Sequence, residues 1–208
     1  MGESRLLAKL GEYRYMKQLV ANGEVYLAPI DAFRKKEEVG GIGDKYENSI
    51  SYHNPANPII TFKLPGGEDF RLSESSRITY CEHLTDVGVI YCLTALDADV
   101  QGISESLEDI KKIGVGYDTM ILFLDTPEFL KRIELKLKEL GYDVYHGFVR
   151  YYPEVGVVHD KLTPFDKRER FAYQKEYRIY VDCDNPKPMT IHLGSLEDIA
   201  ILVKLPEN

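Results

Sequence analysis

One stretch of the chain holds three polar groups suited to chemistry at close spacing. In Phe171-Ala172-Tyr173-Gln174-Lys175-Glu176-Tyr177-Arg178, an extended backbone would alternate side chains, so Gln174, Glu176 and Arg178 would share one face. An amide, a carboxylate and a guanidinium together are more than surface decoration requires. The plainer alternative is the polar outer face of an edge strand, with Glu176 and Arg178 forming a diagonal salt bridge.

A second cluster is Tyr13-Arg14-Tyr15, followed by Gly23-Glu24-Val25-Tyr26-Leu27-Ala28-Pro29 and Phe33. A third, Gly43-Asp44-Lys45-Tyr46-Glu47, sets two carboxylates beside a glycine-rich loop. Its plainer reading is a turn before a strand.

Several chemistries lack their motifs. Gly40-Gly41-Ile42-Gly43 does not match the dinucleotide fingerprint, and the nucleophile-elbow, HExxH and Walker patterns are missing. The five histidines (His53, His83, His146, His159, His192) have no ligand spacing, so no metal site is expected. The three cysteines, Cys81, Cys92 and Cys183, form no CxxC pair and are odd in number. That argues against a disulfide framework and for a reducing compartment. Cys92, inside Val89-Ile90-Tyr91-Cys92-Leu93, reads as a small core hydrophobe.

These residues sit in a chain of 208 residues with 44% hydrophobic and 29% charged residues. Both values are globular, and the length suits a single domain spanning residues 1–208. The start lacks the charged-then-apolar pattern of a signal peptide, and no apolar run reaches membrane-spanning length. The expectation is a cytoplasmic protein with no membrane partner. A net charge of −8 disfavours broad coating of duplex nucleic acid, while leaving room for a basic pocket. The most basic stretch, Lys161 to Arg178, reads most simply as solvated surface. Fifteen tyrosines and no tryptophan suit half-buried strands and ligand clefts alike.

The pattern of elements is α+β, with a mostly antiparallel, strand-rich core, about ten strands and about four helices. Residues 4–22 read as helix-like, ended by Gly23; alternatively, Gly11 to Tyr15 form a short strand before a helix from Met16 to Asn22. Strands are predicted at 25–28, 47–53, 59–64, 69–72, 78–84, 88–96, 119–124, 143–152, 156–159, 190–193 and 199–204, with another inside 171–183. Helical turns are predicted at 30–39, with Asp31 as N-cap, and at 195–198. A helix is predicted at 104–113, with Ser104 or Ser106 as N-cap, and a longer one opens with Thr126-Pro127 and ends at Gly141. The order is not a regular strand–helix alternation, which favours α+β over a doubly wound sheet.

The run of Tyr13-Arg14-Tyr15, Asn22-Gly23-Glu24-Val25-Tyr26-Leu27-Ala28-Pro29, Phe33-Arg34-Lys35, Gly43-Asp44-Lys45-Tyr46-Glu47, Val89-Ile90-Tyr91-Cys92-Leu93-Thr94 and Tyr173-Gln174-Lys175-Glu176-Tyr177-Arg178 resembles a bacterial and phage family. Some of its members travel with phage-defence genes. The layout is similar to ADP-ribosyltransferases, in which a first strand carries Arg or His and a late strand carries a catalytic Glu. The resemblance implies that Arg14 takes the first-strand position, holding the nicotinamide end of NAD. Thr94 stands where that fold has its middle serine. Glu176 is the late glutamate, with Gln174 two residues before it. Tyr15, Tyr26 and Arg178 join the expected cofactor contacts. Two departures are visible: the first strand has no His, and the middle motif has one threonine rather than a Ser-Thr-Ser run.

The resemblance implies transfer of ADP-ribose from NAD to a macromolecular acceptor, nucleic acid or protein. The protein would be a toxin or phage-defence effector with an antitoxin or defence-system partner. Cleaving the nicotinamide–ribose bond builds positive charge on the sugar, and a fixed carboxylate stabilises that charge. Two other readings stand beside this one. A defence-associated nuclease would use Asp44, Glu47 and Glu176 around Mg²⁺. A non-enzymatic sensor or partner-binding module would use the polar strand face as a binding surface.

Overall fold

The computed structural model describes residues 5–36, 43–72, 78–97, 108–113 and 116–205. The elements along the chain are β1 (Arg5–Gly11), α1 (Tyr13–Asn22), β2 (Glu24–Pro29), α2 (Asp31–Arg34), β3 (Ser49–Asn54), β4 (Thr61–Lys63), β5 (Asp69–Arg71), β6 (Tyr80–His83), β7 (Val87–Asp97) and β8 (Thr119–Phe123). Then come α3 (Thr126–Glu139), β9 (Val144–Phe148), β10 (Arg150–Tyr152), β11 (Val157–Asp160), β12 (Asp166–Arg168), a 3₁₀ segment (Glu169–Gln174), β13 (Glu176–Asp184), β14 (Met189–His192) and β15 (Ala200–Lys204). The fold is α+β with a strand-rich antiparallel core, as the element pattern implies.

The first element corrects the sequence reading. Residues 5–11 are a strand, and the helix begins at Tyr13, so the Tyr13-Arg14-Tyr15 tract is helical rather than extended. The cause is topological. β1 lies between β7 and β8 and buries Leu7, Ala8 and Leu10, residues that fall on both of its faces. A strand buried on both faces is apolar without alternation, and a short run of that kind cannot be told from a helix by period. α1 ends on Gly23, at φ 62°. A Cβ there would collide with the Gly194 carbonyl oxygen and lie 2.8 Å from Leu193 Cβ.

β7 is the spine of the main sheet. Along one edge β13 pairs with it antiparallel, Glu176 opposite Thr94 and Val181 opposite Val89, and β9 extends the sheet beyond β13. The other edge is shared. β1 takes the C-terminal part, with Ala8 opposite Thr94, while β2 takes the N-terminal part, with Ala28 opposite Ile90. Between these two pairings the sheet forks. One arm runs from β1 to β8 and β15, the other from β2 to β14.

The main core covers one face of the sheet. There α1 contributes Met16, Leu19 and Val20, and α3 contributes Phe129, Ile133 and Leu137. The Phe129 ring stacks on Phe123 with centroids 3.9 Å apart. The N-cap of α3 is Asp125, one residue earlier than the Thr126 expected, and its Oδ1 accepts the Glu128 N–H at 3.0 Å. Pro127 occupies the first turn, where the missing N–H costs no hydrogen bond.

The opposite face is different. It carries two smaller apolar clusters, one around Ala8, Leu10, Leu96, Ile110 and Met120, the other around Ile30, Ile90 and Tyr180. Smaller sheets complete the structure: β3 between β6 and β11, a parallel pair β10–β12, and the hairpin β4–β5. The single strand expected over 143–152 is two, β9 and β10, broken at Val149, whose N–H turns to the Glu176 carbonyl at 2.9 Å. Ser104 and Ser106, expected as helix caps, lie outside the described residues; of the span predicted as that helix, residues 108–110 are helical. No described helix is long and apolar enough to cross a membrane.

Candidate functional site

The fork in the main sheet opens onto a cavity of about 270 Å³. Members of both small apolar clusters line it, Ala8 and Leu10 from one and Ile90 and Phe33 from the other. Its polar lining residues include Lys9 on β1, Lys36 after α2, Asp44 and Glu47 in the turn before β3, Thr94 on β7, Lys167 on β12, Gln174 at the end of the 3₁₀ segment, and Glu176 and Arg178 at the start of β13.

Glu176 and Arg178 are not on an edge. β13 lies between β7 and β9, and the two side chains are 5% and 1% exposed. The edge-strand reading is therefore corrected, while the diagonal salt bridge it contained is present. Arg178 Nε donates to Glu176 Oε1 at 2.6 Å, and Nη1 donates to Glu47 Oε1 at 2.7 Å. Lys167 Nζ donates to Glu176 Oε2 at 2.8 Å and to Gln174 Oε1 at 2.7 Å, with Glu47 Oε2 at 4.0 Å. Beside this group Arg168 donates through Nε and Nη2 to Asp44 Oδ1, at 3.0 and 2.6 Å. Its guanidinium stacks over the Tyr46 ring at 4.7 Å. The basic stretch from Lys161 to Arg178 is thus no solvated surface at its centre, because Lys167, Arg168 and Arg178 are buried.

Sequence reasoning put Gln174 and Glu176 on one strand face. Instead, Gln174 closes the 3₁₀ segment, and Lys175 between them adopts a left-handed backbone at φ 41°. That conformation is rare for a residue with a Cβ. Here it is held by the Lys175 N–H on the Ala172 carbonyl at 3.1 Å and by its Nζ on Asp97 at 2.8 Å. The Thr94 hydroxyl donates to the Gln174 carbonyl. This pins the 3₁₀ segment to β7, so Gln174 and Glu176 reach the same cavity by a turn rather than by alternation.

The electrostatics follow from burial and pairing. Burial opposes ionisation of Glu176, but Arg178 and Lys167 overcome it and hold its carboxyl well below the usual carboxylate range. Burial likewise opposes protonation of Lys167 and Arg178, and the facing carboxylates of Glu176 and Glu47 reverse it and raise both. Tyr151, whose hydroxyl accepts the Glu176 backbone N–H at 2.9 Å, is pushed up to about 12 by burial and by the Glu176 charge. Burial also raises the Cys92 thiol, which lines the cavity as a protonated, inert group rather than as a fully buried core residue.

Of the residues singled out from sequence, the cavity gathers Glu176, Gln174, Thr94, Arg178 and Tyr26. Arg14 and Tyr15 are not among its lining residues. Arg14, expected on a first strand, lies in the first turn of α1 with its side chain 69% exposed, its Nη2 3.0 Å from Glu12 and its guanidinium over the Tyr15 ring. The real first strand sends Lys9 to the cavity instead. Lys9 and Lys167 were the residues missed. Lys9 carried a signal, as a lone cation in the apolar run Leu6-Leu7-Ala8-Lys9-Leu10, whereas Lys167 carried none.

Among the described residues no group of His, Cys, Asp or Glu is arranged to hold a metal ion. Asp44, Glu47 and Glu176 each face a lysine or arginine at hydrogen-bonding distance. In comparisons with protein-family models, curated proteins and solved structures, no match to the chain is found.

Proposed function

We propose that the cavity at the fork is the active site of an ADP-ribosyltransferase-like enzyme, taking NAD and acting on a macromolecular acceptor, nucleic acid or protein. One observation carries the reading: Thr94 meets Gln174 and Glu176, some eighty residues later in the chain, at one cavity, where Arg178 and Lys167 favour the ionised form of Glu176. The cavity lies near the lower end of the roughly 300–1,000 Å³ usual for small-ligand pockets, room for one end of a dinucleotide rather than the whole. Tyr26 and Phe33 offer ring faces at its wall.

In this reading Glu176 presents a fixed negative charge toward the sugar carbon at which positive charge develops. Such charge is most effective when it needs no rearrangement during reaction. Arg178 and Lys167 supply that fixity, since together they bond both carboxylate oxygens. Gln174 orients the acceptor. The first-strand role that the resemblance implies for Arg14 would fall to Lys9, which reaches the cavity where Arg14 does not. A toxin or defence-effector role, with an antitoxin as partner, belongs to the same proposal.

The test is incubation of the protein with labelled NAD and a cell lysate. The expected result is nicotinamide release and labelling of macromolecules, both lost in Glu176→Gln while a melting curve shows the variant folded. Absence of release and labelling by the unmodified protein would sink the reading.

A binding module is the second reading, favoured by the same salt bridges taken differently. A carboxylate bonded on both oxygens is also what a purely structural charge network provides. Thermal shifts separate the two. NAD at a hundred times its dissociation constant should stabilise the protein by about 2.7 kcal/mol. The nuclease reading is not carried forward, because its three carboxylates already serve as partners of Lys167, Arg168 and Arg178.

A further inference from the structure

Three lysines line the cavity, the exposed Lys36 and the more enclosed Lys9 and Lys167, and the last two have contrasting surroundings. Lys167 has carboxylates on two sides, Glu176 at 2.8 Å and Glu47 at 4.0 Å. Lys9 has no carboxylate within ion-pairing distance among the described residues. Its Nζ donates to the main-chain carbonyl of Cys92 at 2.8 Å and lies 4.4 Å from the centre of the Tyr91 ring. That carbonyl lies in the fork, on β7 between the residues paired to β1 and to β2. Lys9 therefore occupies the gap where the sheet has no strand to offer.

Charge counting sharpens the contrast. The fully buried ionic residues around the cavity are Asp44, Glu47 and Glu176 against Lys167, Arg168 and Arg178, three of each sign. These residues pair among themselves, with Arg168 also reaching Glu154 at 3.1 Å, and a protonated Lys9 would have no direct carboxylate partner, only the Cys92 carbonyl, the Tyr91 ring and the more distant charge of Glu176. An unbalanced ammonium removed from water is unfavourable, and the usual response is loss of the proton. Burial lowers the Lys9 amine accordingly. A neutral amine facing a cavity is a nucleophile, as desolvated lysines are where they form imines.

We propose that Lys9 is a covalent site for a small aldehyde or ketone admitted to the cavity at the fork. The Nζ lone pair forms a C–N bond to the carbonyl carbon while the carbonyl oxygen takes a proton, giving a carbinolamine. Loss of that hydroxyl with the remaining N–H proton, as water, leaves an imine. No oxidant or reductant enters. The Cys92 carbonyl and Tyr91 ring hold Nζ at the cavity wall, and the volume of about 270 Å³ limits the partner to a compact molecule. The same lysine is given a place in the NAD reading above, but the adduct is read by mass, so its test does not depend on nicotinamide release.

The test uses D-glyceraldehyde with sodium cyanoborohydride at pH 7 on the full chain, followed by intact-mass measurement and peptide mapping over time. The expected result is a first adduct on Lys9, formed at least ten times faster than on the surface residues Lys45 and Lys131, which lie outside the cavity. Lys167 is an internal control: buried and paired with Glu176, it should stay unlabelled. Lys9→Met should abolish the fast phase while the surface lysines label at their former rate. The proposal is overturned if Lys9 labels no faster than Lys45 and Lys131, or if the fast phase maps elsewhere. Both outcomes are read on the unmodified protein, so a variant that fails to fold does not remove the test.

Discussion

Arg178 Nη1 donates to Glu47 Oε1 at 2.7 Å, joining the start of β13 to a turn 131 residues earlier in the chain. Both side chains are almost wholly buried, at 1% and 3% exposed. This contact ties the turn that walls the cavity to the strand carrying Glu176, so the site and the fold share it.

Removing one side of that contact should be severe. Arg178→Met leaves Glu47 buried without its hydrogen-bonded cation and takes one of two cations from Glu176. Deleting one partner of a buried pair destabilises by about 3–5 kcal/mol. Urea unfolding followed by circular dichroism should show a loss of that size. A loss below 1 kcal/mol would mean that the pair is not formed in solution.

Acid should act through Glu176. Its folded-state pKa is depressed, so its contribution is fully present above the unfolded value of roughly 4.3 and is lost as pH falls from there through the folded value. Below about pH 4.3 the unfolded chain binds the extra proton, and stability falls. Glu176→Gln removes that dependence. Urea midpoints measured from pH 7 to pH 3 should fall less steeply for the variant than for the unmodified protein, and equal slopes would contradict the assigned direction.

Lys9 has the same slope with pH but acts against stability, because its charged form is the one the fold disfavours. Its folded-state pKa lies below the unfolded value of roughly 10.4, so between the two the unfolded chain holds more protons and stability rises with pH. Lys9→Met keeps the apolar stem and removes the poorly compensated amine. The expected result is a gain of about 1–3 kcal/mol at neutral pH, with a flatter response between pH 7 and pH 10. A destabilised Lys9→Met would assign Lys9 a structural role at the Cys92 carbonyl.

Gly23 should not tolerate a side chain. Its φ is 62°, and a Cβ would meet the Gly194 carbonyl and Leu193. Gly23→Ala should cost more than about 1 kcal/mol, read as a lowered thermal midpoint. A neutral result would place the C-terminus of α1 in a different geometry.

The sequence by itself determined the elements with their own local chemistry. The Thr126-Pro127 start and the Gly141 stop were enough for α3, although the capping residue proved to be Asp125. Gly23 marked the end of α1, and the apolar run 88–96 marked the central strand. β1 was illegible because its place between two strands buries both faces and erases the period. That error moved Arg14 onto a strand it does not occupy and hid Lys9. Gln174, Glu176 and Arg178 were visible as a group, but their surroundings were not. Whether a carboxylate lies on an outer face or in a closed charge network depends on partners such as Glu47 and Lys167. Those partners are brought to it by the turn before β3 and by β12, through contacts across long stretches of chain that no local pattern records. The fork at β7 is of the same kind: it exists only because two strands far from β7 in sequence divide one of its edges, and the cavity lies in the space they leave.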